Sequence, residues 1–250
     1  MLALCSCSAS SRRALVDDIK RSMLKRHEHW KALYGRVYKD VARMRNASMC
    51  FKENVKYIEQ FNKAANHSYK LSLNEFADLT NEVLKVTRYG YNGELRLEDK
   101  LPRATSSSFI YENAEDVPST MDRRTKGAVT PVKNQDKCVQ ITGYEHVPAN
   151  NESALLKAAA NQPVSVSIDA NDSSFKGYST GVYNGPCGTK LNHIVIIVGY
   201  GVSNDGTKYW LAKNSWGTNW GESGYIRTQR DVGAKEGLCG LAMEAISPTA

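Results

Sequence analysis

Leu191-Asn192-His193-Ile194-Val195-Ile196-Ile197-Val198 and Lys213-Asn214-Ser215-Trp216-Gly217 place a histidine at the head of an apolar run and an asparagine 21 residues later. The run from Ile194 to Tyr200 is rich in β-branched residues and reads as a strand, as do Val164 to Ile168, Tyr209 to Lys213 and Tyr225 to Thr228. Gly and Asn turns separate them, and one helix, about Asn151 to Ala160, interrupts them. A lone histidine heading a strand is more often a packed or capping residue. The Asn-Ser-Trp-Gly string at a fixed distance behind it outweighs that reading.

Working outward toward the N-terminus, Gly127-Ala128-Val129-Thr130-Pro131-Val132-Lys133-Asn134-Gln135 leads into Cys138, which runs on through Val139-Gln140-Ile141. Glutamine, histidine and asparagine are the side chains a thiol nucleophile needs. A neutral thiol attacks poorly, so an imidazole must stabilise the thiolate, and a third group must fix the tautomer and orientation of that imidazole. A side-chain amide can donate a hydrogen bond to the oxyanion of a tetrahedral intermediate.

These strings resemble the papain-like cysteine proteases, closest to plant senescence-type members, from about Val16 to the end of the chain. The resemblance implies His193 and Asn214 as catalytic residues, Gln135 as the oxyanion donor, and Trp216 as a cover for the Asn-His hydrogen bond. It further implies Trp216, Leu191 and Ile194 as substrate-binding residues and a disulfide between Cys187 and Cys239. The family continues past its glutamine through Cys-Gly-Ser-Cys-Trp and attacks with the second cysteine; here Cys138 matches either the first of these, with Ile141 where the nucleophile would be counted, or a later family cysteine at the junction. In the family, the histidine follows the nucleophile by roughly 130 residues or more. His193 follows Cys138 by only 55. About 80 residues are therefore expected to be missing, among them the nucleophile and the helical half of the mature enzyme. Three smaller departures accompany the gap: Arg123 stands for a Trp, Asn192 for an Asp, and Ile194 for a Gly or Ala.

The N-terminal half reads differently. Asp17 and Asp18 start a helix carrying Ile19, Met23, Leu24 and Trp30, and a second helix from about Val41 to Ala65 aligns Met44, Phe51, Val55 and Ile58. Tyr69, Leu71 and Leu73 alternate as a strand would. Phe51, Asn54, Ile58 and Asn62, with Asn74-Glu75-Phe76-Ala77-Asp78, resemble the inhibitory propeptide of papain-like zymogens, although Arg43, Ala47 and Ser72 depart from its pattern.

The expected organisation is α+β: a signal-like remnant over 1–15, a helical propeptide domain over 16–93, a linker over 94–116, and a truncated papain-like domain over 117–250. The latter is an incomplete papain fold retaining mainly its β-barrel-like half. Residues 1–115 carry 20 Lys plus Arg against 14 Asp plus Glu, a dispersed surplus with no basic-aromatic stripe, so nucleic acid is not an expected partner. No run is long enough for a transmembrane helix. The sequence therefore predicts a monomeric endopeptidase precursor of the secretory pathway, vacuolar, lysosomal or extracellular, with no cofactor and no metal. Lacking a nucleophile, it is expected to be inactive. Its partners would be a peptide or protein substrate if active, or a related papain-like protease held through the propeptide. A trans-acting inhibitor and an inert truncated product are the alternative readings.

Overall fold

The computed structural model describes residues 9–64, 66–89, 109–115, 117–134 and 143–249, with side chains from residue 17 onward. Gln135, Cys138, Ile141, the first eight residues and most of the expected linker lie outside the described residues.

Three helices and a short strand come first. Helix α1 (Ala9–Leu33) is followed by α2 (Val41–Lys63), β1 (Tyr69–Leu71) and α3 (Asn81–Arg88). Helix α2 starts where Asp40 caps the amide of Arg43, and α3 where Thr80 caps that of Val83, each satisfying an amide that has no partner within its helix. The start of α1 at Ala9 corrects the expected start at Asp17, and a domain boundary at residue 16 would fall inside this helix. Two expected apolar faces also need correction, since Ile19, Leu24 and Met44 are exposed. The core of this region is narrower: Trp30, Phe51, Val55 and Ala77 cluster, with Met23, Tyr34 and Leu73 against them. The asparagines read from the sequence hold the returning chain. Asn62 Nδ2 donates to Leu71 O while its Oδ1 accepts from Leu71 N at 3.0 Å, and Asn54 Nδ2 donates to Ala77 O at 2.8 Å.

The C-terminal part is a curved, mainly antiparallel sheet. Its strands are β2 (Met121–Asp122), β3 (Gly143–His146), β4 (Val164–Ile168), β5 (Tyr178–Tyr183), β6 (His193–Val202), β7 (Lys208–Lys213), β8 (Tyr225–Gln229) and β9 (Ala245–Thr249). Helix α4 (Glu152–Asn161), capped by Asn151, and the single turn α5 (Ser173–Gly177) interrupt them. The order is β1-β5-β8-β7-β6-β4-β9-β3, with β2 against β6. The N-terminal strand β1 thus joins the sheet through β5, and Tyr69, Leu71, Phe76 and Leu84 share one core with Tyr183, Trp216, Trp220 and Ile226. Arg123, which lacks the indole expected at its position, lies beside the end of α4 and donates to the carbonyls of Ala159 and Ala160. Those are carbonyls a helix C-terminus leaves without partners.

Candidate active site

Strand β6 begins with His193, which pairs across the sheet with Ile168 of β4. The chain before it is fixed by Asn192. This buried amide donates to Asp169 Oδ1 at 3.0 Å and to Lys190 O at 2.9 Å, and it accepts from Ala170 N at 3.1 Å. An aspartate there would face Asp169 with like charge, so the amide matches this carboxylate neighbour.

Asn214 follows the last residue of β7, and its amide N–H donates to Gly224 O. Its Oδ1 accepts from Ser215 N at 2.7 Å and lies 2.8 Å from His193 Nε2. An acceptor oxygen there requires Nε2 to carry the proton, leaving Nδ1 as the lone-pair nitrogen of the neutral ring. Nδ1 is buried and has no hydrogen-bond partner among the described residues. Burial holds the imidazole down to a pKa of about 4, against the opposing hydrogen bond that Nε2 donates to Asn214, so the ring is neutral above that pH. Chemically this is an oriented imidazole that could exchange a proton at Nδ1 with a group placed beside it.

Aromatic rings enclose the pair. Trp216 is fully buried with its ring centre 4.9 Å from His193. Tyr89, at the end of α3, stacks on Trp216 at 5.9 Å and 7° and lies 5.6 Å from His193, while its hydroxyl donates to Ala170 O. Phe76 meets Trp216 edge-on at 5.6 Å. The covering role of Tyr89 and Phe76 was not read from the sequence; Phe76 lies inside a recognised string, whereas Tyr89 carries no signal beyond being aromatic just before a polar stretch.

The other expected site residues are dispersed around this pair. Leu191 is half-buried, and Ile194 is 39% exposed. By strand alternation Ile194 projects to the face opposite His193. The chain leading to Gln135 lies close by: Asn134 bridges to Trp216 and accepts from Arg88, and Gly217 N donates to Lys133 O at 3.2 Å. Cys187 and Cys239 form a disulfide with Cα atoms 5.0 Å apart, and Cys50 on α2 is the free cysteine among the described residues. Among those residues no group of three or more His, Cys, Asp or Glu is arranged to hold a metal ion, and no helix is long and apolar enough to cross a membrane.

Residues 139–249 match the papain family cysteine protease domain, and residues 27–83 match the cathepsin propeptide inhibitor domain. Senescence-specific cysteine protease SAG39 of Oryza sativa subsp. indica is 39% identical over 333 aligned positions, covering 99% of this chain and 96% of that protein. The chain has only 250 residues. At least 83 of the 333 aligned positions therefore have no counterpart here. Fruit bromelain of Ananas comosus is 33% identical over 99% of this chain and 92% of its own length. Among solved structures, the recombinant stem bromelain precursor is similar with a TM-score of 0.79 and 33% identity, covering 91% of this chain and 99% of that one. The proform of the ragweed pollen allergen Amb a 11 is similar with a TM-score of 0.80 and 28% identity, over 91% and 85% respectively.

Proposed function

Because this chain belongs to the papain family of cysteine proteases and carries that family's propeptide domain, we propose that it is an endopeptidase precursor whose catalytic set lacks its nucleophile. In this reading, Asn214 orients His193, Gln135 is the oxyanion donor, and Trp216 keeps water from the Asn-His hydrogen bond. Leu191 and Ile194 belong to what remains of the substrate-binding surface. The observation carrying the proposal is the cysteine inventory before His193: Cys138 runs on through Val139-Gln140-Ile141 with no second cysteine behind it, and Cys187 is held in the disulfide with Cys239. Without a thiolate beside His193, no acyl-enzyme forms, and the imidazole has no proton to take.

The internal shortfall of at least 83 positions against SAG39 supports the loss of the block that would hold the nucleophile. Residues 94–116 are a linker and 117–250 the shortened peptidase domain of a monomer routed to the secretory pathway. The alternative, inhibition of a related protease in trans, draws less support. The propeptide's own polar anchors are already engaged in cis, as where Asn74 Nδ2 donates to Lys176 O at 2.7 Å and Ser68 Oγ to Val182 O at 2.6 Å. Hydrolysis of a fluorogenic peptide by the chain, and by a form with residues 9–89 removed by limited proteolysis, tests the proposal. The expected rate equals that of a His193→Ala control in both forms. Turnover lost in the control would overturn it.

A further inference from the structure

Lys176 belongs to the single turn α5 of the peptidase part, yet both acceptors of its ammonium belong to the propeptide. Nζ donates to Asn54 Oδ1 of α2 at 3.1 Å and to Leu79 O at 3.0 Å. The residue is only 6% exposed. Its main chain is held as well, since its carbonyl accepts from Asn74 Nδ2 and from Trp220 Nε1 at 3.1 Å. Among the described residues no carboxylate lies within salt-bridge distance of Nζ; Asp78, Glu82 and the Cys50 thiol face it from farther away on the propeptide. A buried ammonium therefore rests on two neutral oxygens supplied by another domain.

Such a group is a poor glue. Docking strips water from a cation and returns only neutral acceptors, and burial accordingly pushes the Lys176 ammonium toward losing its proton. The same arrangement discriminates sharply. A propeptide without an acceptor opposite Nζ would leave the cation buried and underbonded, the kind of penalty by which an interface rejects a wrong partner. The acceptor is also oriented: Asn54 Nδ2 donates to Ala77 O at 2.8 Å, which turns Oδ1 toward Lys176.

We propose that Lys176 is a specificity-determining residue of the propeptide-docking surface, admitting a propeptide that offers an amide oxygen at position 54 and a main-chain carbonyl at position 79. The inference rests on reading residues 27–83 as a propeptide docked on the sheet. It does not depend on whether the chain hydrolyses peptides.

A double-mutant cycle in the full chain tests it, using amide hydrogen exchange. The reporters are Ser72 N, which donates to Gly177 O, and Val182 N, which donates to Ser68 O, because both bonds cross the docking surface. Amides of β6 and β7 report that the sheet itself remains folded. Asn54→Leu should speed exchange at Ser72 and Val182 at least roughly tenfold more in the Lys176 chain than in a Lys176→Met background. Should Lys176→Met lose β6 and β7 protection, Lys176→Gln takes its place in the cycle. Equal effects of Asn54→Leu in both backgrounds, within about threefold, would overturn the proposal while leaving the docking itself intact. Unprotected Ser72 and Val182 in the unaltered chain would overturn both.

Discussion

Replacing His193 by glutamine should flatten the acid side of the stability profile. The wild-type imidazole titrates at about 6.5 when unfolded and at about 4 in the fold, where burial disfavours its charge. Between those values the unfolded chain binds the proton that the folded one refuses, so stability is complete above about pH 6.5 and falls as the pH drops toward 4. Integrating over that window to pH 4 gives a loss of about 3 kcal/mol from this one group. His27, also buried with its pKa lowered by desolvation, contributes in the same direction but is common to both proteins, so it cancels in the comparison. Glutamine retains a donor toward Asn214 Oδ1 and cannot titrate. Urea unfolding at pH 7.5 and pH 4.0 should thus show a drop about 3 kcal/mol smaller in His193→Gln than in the wild type. An equal drop in both would mean that His193 is not buried as a neutral ring, and the argument built on its Nδ1 would fail.

Cys239→Ala opens a loop whose ends are 52 residues apart, which the chain-entropy relation equates with about 4 kcal/mol, or roughly 8 to 16 °C in melting temperature; a shift under about 2 °C would contradict it. Gly181 has φ +98°, and an added Cβ would meet Ser68 O at 2.3 Å and Tyr69 Cα at 2.7 Å. Gly181→Ala should therefore pry β1 from β5 and cost more than about 1 kcal/mol in docking, read as faster exchange at Val182; unchanged protection there would refute it.

Much of the sheet was legible because its strands carry their own signals. The β-branched run of β6 and the turn-bounded β7 and β8 needed no tertiary context, and Asn151 marks the cap of α4. Strands β5 and β9 were not read. Tyr178-Ser179-Thr180-Gly181-Val182-Tyr183 holds a glycine at positive φ, which reads as a turn until β1 is seen to pass too close for a Cβ there. Ala245 to Thr249 contains Pro248, a residue that argues against a strand, but it falls on the stretch that pairs with β3 beyond the reach of β4. The exposure of Ile19, Leu24 and Met44 shows the limit of helical periodicity, which finds a face without saying whether anything packs on it. At the site, His193 and Asn214 were readable as a spaced pair. Their enclosure by Tyr89 was not, because it depends on the N-terminal region docking through a strand pairing between residues more than 100 positions apart.

Labelling with a thiol-directed epoxide probe of papain-like active sites, mapped by mass spectrometry, tests the central claim most directly. With residues 9–89 released, the account predicts no cysteine whose labelling depends on His193, because the proposed loss of the nucleophile leaves Nδ1 without a thiolate to stabilise. Modification of Cys138 that disappears in His193→Ala would contradict it and restore this chain to the working proteases of its family.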